Sequence, residues 1–244
     1  DGQWSVSGPF AVENSLAGPV DTNRVPLRSL RGSLDWGNDT LALDIDRAEG
    51  VRGTARGTLT WSTASGLAVQ AQFNGIDAST LHSNAVTTNA TGQVTYTLIK
   101  GEQRFDGSAR NATGLPLSAD VVASIRNQVL ELSTGRLRLG AGRADLRGRL
   151  ELGGTQALQL SGQFADLDLS QLVRGIDTRL NGTLEVEGRL QAPLNGQGRF
   201  TLADSRIAGR PITGRGSLNI ADRRFDADIE LRSGDARLTA LGGL

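Results

Sequence analysis

Apolar and polar residues alternate with a period of two along most of this chain, which predicts β-strands with one greasy face. Leu41, Leu43 and Ile45 alternate with Ala42, Asp44 and Asp46. Val69, Ala71 and Phe73 alternate with Gln70 and Gln72, and Val94, Tyr96 and Leu98 with Thr95 and Thr97. The same beat returns at Leu130 and Leu132, Leu158 and Leu160, Leu184 and Val186, Phe200 and Leu202, and Leu218 and Ile220. Phe225, Ala227, Ile229 and Leu231 alternate with Asp226, Asp228 and Glu230. An amphipathic helix needs apolar positions three and four apart, and long sections of the chain never show that spacing.

Two short segments break the alternation, near 76–82 and 168–173. Asp77 and Asp168 can each cap a single helical turn there. The same segments reveal a repeat. Gln72-Phe73-Asn74-Gly75-Ile76-Asp77 lines up with Gln163-Phe164-Ala165-Asp166-Leu167-Asp168, an offset of 91 residues, and Gly57 and Leu59 match Gly148 and Leu150 at the same offset. Phe164 thereby joins the apolar set as the counterpart of Phe73. The expected organisation is one continuous repetitive β fragment over 1–244, with units at about 38–127, 128–223 and a truncated 224–244. A truncated last unit implies a chain that continues, and the opening Asp1-Gly2-Gln3-Trp4 reads as a processed or excised piece.

One greasy face must be covered. A second sheet would give a sandwich, stacked short rungs a β-helix, and a long curled sheet a trough lined by its own apolar side chains. Alternation alone does not choose. Glycine, 32 of the 244 residues, falls inside strands as well as between them, where it permits bulges and curvature.

Composition narrows the chemistry. There is no cysteine, which excludes disulfides, thiol catalysis and cysteine-ligated metals. Acidic and basic residues balance at 26 each, so no overall charge draws the chain to nucleic acid. His82 is the single histidine and has no nucleophile at a recognisable spacing. Asp44 with Asp46, and Asp226, Asp228 and Glu230, share strand faces as a calcium or glycosidase pair could. A solvated polar face facing arginines on neighbouring strands produces the same pattern. Gly140-Ala141-Gly142 and Gly214-Arg215-Gly216 lack the Lys-Ser/Thr of a phosphate-binding loop. No enzyme, metal or cofactor is expected.

The order of motifs resembles the TamB and AsmA-like family of bacterial envelope proteins, most closely the C-terminal part of its TamB-like translocation and assembly members. Val25-Pro26-Leu27-Arg28-Ser29-Leu30-Arg31-Gly32 is similar to the family's entry into a repeat, and Gly53-Thr54-Ala55-Arg56-Gly57-Thr58-Leu59 to its paired strands. Asp166-Leu167-Asp168-Leu169-Ser170-Gln171-Leu172 resembles its helical punctuation. Leu180-Asn181-Gly182-Thr183-Leu184-Glu185-Val186-Glu187-Gly188-Arg189-Leu190-Gln191-Ala192-Pro193-Leu194-Asn195-Gly196 has its strand, glycine, strand, proline cadence. Ile99-Lys100-Gly101-Glu102 departs from it, standing where a proline turn is expected.

The resemblance implies an all-β fold, a long curled antiparallel or mixed sheet forming a β-taco groove with an apolar interior. It implies a periplasmic location, with an inner-membrane anchor helix outside this stretch. The implied function is a bridge that carries phospholipid acyl chains between inner and outer membrane and so supports outer-membrane biogenesis. An outer-membrane barrel of the TamA/Omp85 type is the implied protein partner. The expected lining is the apolar set above, from Leu41 to Leu231. A lining without charges suits such a path, because burial stabilises each CH2 by roughly 0.8 kcal/mol wherever it sits. Two other readings remain: a platform assisting assembly or secretion of outer-membrane barrels or autotransporters by strand addition, and a structural β-solenoid or adhesin.

Overall fold

A computed structural model describes residues 4–83, 87–114, 116–169, 177–191, 195–221 and 224–243. The described residues form an all-β arrangement of sixteen strands, paired antiparallel. It divides into two compact units, Asp1–Ser118 and Ala119–Leu244.

The first unit holds β1 (Ser5–Glu13), β2 (Leu27–Gly37), β3 (Thr40–Gly50), β4 (Thr54–Ser62), β5 (Gly66–Ile76), β6 (Ala90–Ile99) and β7 (Glu102–Asn111), each paired with its neighbour in sequence. A single turn of helix, α1 (Ala78–Leu81), stands between β5 and β6. The second unit begins at Ala119, inside β8 (Leu117–Arg126). It continues through β9 (Val129–Leu139), β10 (Gly142–Glu151), β11 (Ala157–Leu167), β12 (Thr178–Arg189), β13 (Asn195–Ile207), β14 (Arg210–Ala221), β15 (Arg224–Ser233) and β16 (Ala236–Gly243), again in sequence order. The helical turn expected near 168–173 falls on residues that, from 170, lie outside those described.

Tight hairpins impose this order. Two-residue turns at 38–39, 100–101, 127–128 and 208–209 hold both residues at positive φ, the type I′ geometry whose twist matches that of the strands it joins. Strands connected so closely pair with each other before any distant partner.

The curled β-taco groove, and the option of a mixed sheet, are corrected here. Within each unit the sheet is an open antiparallel meander, neither closed nor strongly curled. Substantial contact between described strands runs only along the ladder, from each strand to its neighbour. The physical reason lies in what alternation encodes. It assigns side chains to faces but carries no information about curvature.

The glycines expected to curl the sheet are spent otherwise. Gly92 lies directly across from Phe73, and Gly182 from Phe164. A Cβ on Gly92 would run into the Phe73 ring tip at 2.6 Å and, closer still, the Ser108 carbonyl; one on Gly182 would meet the Phe164 ring at 3.0 Å and the Thr201 carbonyl. Each glycine is thus a seat for a cross-strand aromatic ring. Beside each ring the register slips, between Phe73 and Ile76 and between Phe164 and Leu167. Gly75 (φ 69°) and Asp166 (φ 51°) supply the left-handed residue of the two bulges. These matched positions lie 91 apart in the sequence.

Gly92→Ala and Gly182→Ala should each destabilise the chain by about 1–3 kcal/mol, because the neighbouring backbone must move. Gly198→Ala, whose nearest neighbour is the Glu185 carbonyl at 3.9 Å, should change little. Urea unfolding of the three variants checks this; equal midpoints would contradict the ring-seat account.

Candidate functional site: the uncovered apolar face

Register turns the alternation into lateral rows. In the first unit, Leu34, Leu43, Leu59, Val69, Tyr96 and Phe105 stand directly opposite one another on successive strands. Rows on the same face carry Leu41 with Leu98, Ile45 with Val94, and Phe73 with Leu30. In the second unit one row holds Leu130, Leu150, Leu158, Ile220 and Phe225, with Gly188 and Gly196 between them. The next holds Leu132, Leu160, Val186 and Leu218; a third Leu146, Leu184, Phe200 and Ile229; a fourth Ala144, Phe164, Leu202, Leu231 and Leu238. Every apolar residue singled out by alternation therefore sits on one face of its own unit.

The face is not a core. None of the residues picked out by alternation is buried. Leu218 and Phe225 are plainly exposed, at 39% and 46%, and the rest are partly exposed. Among described hydrophobic residues only Leu139 and Ala144 are buried. A sandwich partner or a folded-over second layer would have buried the middle rows.

Alternation missed several contributors. Phe10, Leu30, Leu34 and Trp36 in β1 and β2 share the face, but Gly8 and Gly32 interrupt their runs. Leu59, Trp61 and Leu67 complete the rows of β4 and β5. Leu137-Arg138-Leu139 did show the signal, and Leu139, at 0% exposure, is the most buried aliphatic among the described residues.

The opposite face is polar. Asp44, Thr58, Gln70, Thr95 and Asp106 form one of its rows in the first unit; Glu131, Arg149, Gln159, Glu187 and Gln197 form one in the second. Shallow hollows open here, one lined by Asp44, Arg56, Gln70, Gln72 and Gln93, another by Arg147, Arg149, Glu185, Glu187 and Arg199. Of the acidic residues at 226–230, Glu230 is the one held in ion pairs. Glu230 accepts from Arg232 on its own strand (2.8 Å), from Arg237 on β16 (3.1 Å) and from Arg215 on β14 (3.5 Å). The Arg232 hydrogen bond and the Arg237 charge hold the Glu230 carboxyl below its ordinary pKa. No three His, Cys, Asp or Glu side chains among the described residues are grouped to hold a metal. His82 is exposed beside α1.

One end of the first unit is closed by a polar knot. Asp77, 2% exposed, caps α1 by accepting from the Ser79 N–H (3.0 Å) and hydroxyl (2.8 Å). It also accepts from the Thr88 N–H (3.1 Å) and from Arg52 (3.1 Å). Thr88 Oγ1 in turn accepts from the Ala78 N–H and donates to the Ile76 carbonyl. In the second unit the Leu169 N–H donates to Thr178 Oγ1 in the corresponding way. Burial acts to raise the Asp77 pKa, but the bonds from Ser79 and Thr88 and the Arg52 charge outweigh it and hold the carboxyl below its ordinary value near 3.8.

No protein-family model, curated protein or solved structure matches the chain. The likeness to TamB and AsmA-like proteins rests on the motifs quoted above. No helix among the described residues is long and apolar enough to cross a membrane.

Asp77→Asn should destabilise the first unit by about 1–2 kcal/mol, because the bonds from Ser79, Thr88 and Arg52 are no longer made to a charged acceptor. In the parent chain, a depressed carboxyl pKa contributes stability that is present above the unfolded value and lost as pH falls through the folded one. Protection of the Ser79 and Thr88 amides from hydrogen exchange should therefore persist at pH 5 and decay only below about pH 4. Equal protection in the Asn variant at neutral pH would show that the knot does not depend on the charge.

Proposed function

We propose that this protein is a non-catalytic scaffold whose apolar sheet face holds the acyl chains of phospholipids. The observation that carries the reading is the exposure of that face. Each unit presents aligned rows of aliphatic and aromatic side chains that no other described strand of the unit covers. Soluble proteins rarely leave contiguous apolar surface of this extent to water. An acyl chain suits it better than a folded partner, because the rows are chemically even and contain no charged side chain. Contact at successive positions is then of similar strength, and a chain can shift along the rows with small barriers.

The polar face stays wet throughout, so a lipid head group need not leave water when its tail lies on the other side. Transfer of lipid between the two membranes of a bacterial envelope, with an outer-membrane barrel as partner, is the setting that the family resemblance suggests for such a surface.

A photoreactive side chain placed at Val69 or Leu160 should yield phospholipid adducts from cells, detected by mass spectrometry. The same group at Gln70 or Gln159, one residue along on the polar face, should yield background. Adducts of equal strength on both faces, or protein adducts alone at Val69 and Leu160, would overturn the reading. Purified chain should retain lipid, and Val186→Asp should lose it from the second unit while Glu187→Asp does not.

A further inference from the structure

The chain has three tryptophans, and all three stand at one edge of the first unit. Trp36 and Trp61 both pair directly with Leu41, from either side. Val6, Trp36, Leu41, Trp61, Leu67 and Leu98 form the outermost row of the apolar face. Trp4 sets its ring edge-on against Trp36, with centroids 5.0 Å apart. The indoles remain open to solvent at 57%, 44% and 40% for Trp4, Trp36 and Trp61. Val6 and, just beyond Leu98, Ile99 are exposed as well.

We propose that this tryptophan edge seats in the interfacial layer of a phospholipid bilayer. An indole is a flat apolar body with a single N–H donor at one side. In water its apolar area is uncovered; in hydrocarbon its N–H lacks an acceptor. The bilayer interface meets both needs, with acyl chains below and ester and phosphate oxygens above, which is why tryptophan concentrates there. The charge of the edge agrees. Its hairpin turns, at 38–39, 63–65 and 100–101, carry one acid, Asp39, and one base, Lys100. Such an edge approaches a zwitterionic surface without desolvating a block of like charge. The opposite edge of the unit carries the longer connections, with Asp21, Arg24, Arg52 and Asp77 and no tryptophan. A bilayer also suits the linear layout, since indoles spaced along one row meet a flat surface together, whereas a protein hot spot gathers them around a centre.

Membrane seating is separate from acyl-chain binding on the face: an edge can dock on a bilayer without extracting a lipid. Intrinsic fluorescence reports this edge alone, because the chain has no other tryptophan. On adding phosphatidylcholine vesicles to the 244-residue chain, emission should shift to the blue. Lipids brominated near the ester end of the acyl chain should quench it more than lipids brominated near the methyl end. Trp36→Ala and Trp61→Ala should each weaken vesicle partition, read by sedimentation, by roughly tenfold, and Gln70→Ala on the polar face should leave it unchanged. If either tryptophan variant melts early, quenching in the parent chain decides by itself. Emission that vesicles leave unmoved overturns the proposal. So does a blue shift that appears without lipid as protein concentration rises, which would mean that a second copy covers the edge. Lipid adducts at Val69 without vesicle partition would sink this proposal alone; partition without adducts would sink only the acyl-chain reading.

Discussion

Within each unit a strand is supported almost wholly by its neighbours in the ladder. Hydrogen bonds and directly opposed side chains supply that support, and no second layer of described strands adds to it. The usual depth of a protein core is therefore missing, and the packing that exists is lateral. Phe73 resting on Gly92 and Phe164 on Gly182 recover within the sheet some of the close contact that a second layer would otherwise provide. Stability built this way is near-neighbour stability, as in other repeat architectures. It explains why polar knots sit at the strand ends. Where the ladder slips, Asp77, Thr88 and, in the second unit, Asn181 and Ser205 supply the missing backbone partners. Asn181 Oδ1 accepts from the Asp166 N–H at 2.9 Å and its amide donates to the Asp204 carbonyl at 3.0 Å. Ser205 Oγ accepts from the Asn181 N–H.

Much of this could be read before the fold was known, and the rest was hidden for definable reasons. Period two put every selected residue, from Leu41 to Leu231, on one face of its own unit, because face is a local property of a strand. The match of Phe73 with Phe164 marked a shared bulge and a shared ring seat. The first two strands were less visible, since Gly8 and Gly32 stand where apolar residues would have kept the beat. Hairpins at Asn38-Asp39 and Asn127-Gln128 carry some turn chemistry, but Gln128 and Ala208 at positive φ are dictated by the ladder, not by their own preference. Curvature was out of reach. A glycine inside a strand is compatible with a bend, a bulge or a ring seat, and only the residue across the ladder tells which. That residue is set by register, which depends on turns and bulges several strands away.

The two faces make different demands on the same backbone. On the polar side, charges are interleaved: Arg149 faces Glu131, Arg199 faces Glu185, and Arg215 faces Glu230. Interleaving of signs keeps a broad flat surface soluble without a field of one sign that would recruit polyanions. On the apolar side there is no such discouragement, so an uncovered sheet of this kind would otherwise tend to stack face to face with its own copies. An occupant that is fluid, apolar and abundant would resolve the conflict. On the proposed reading, acyl chains would cover the rows without imposing a rigid complementary shape and would leave the ladder free to twist. The tryptophan row then has a natural place. It marks the line where the apolar face ends and hairpins of balanced charge begin, so an indole there spans the same boundary of polarity that a lipid spans between its tail and its ester groups. The sheet and a lipid layer thus present matching gradients along that edge, one built from side chains and the other from whole molecules.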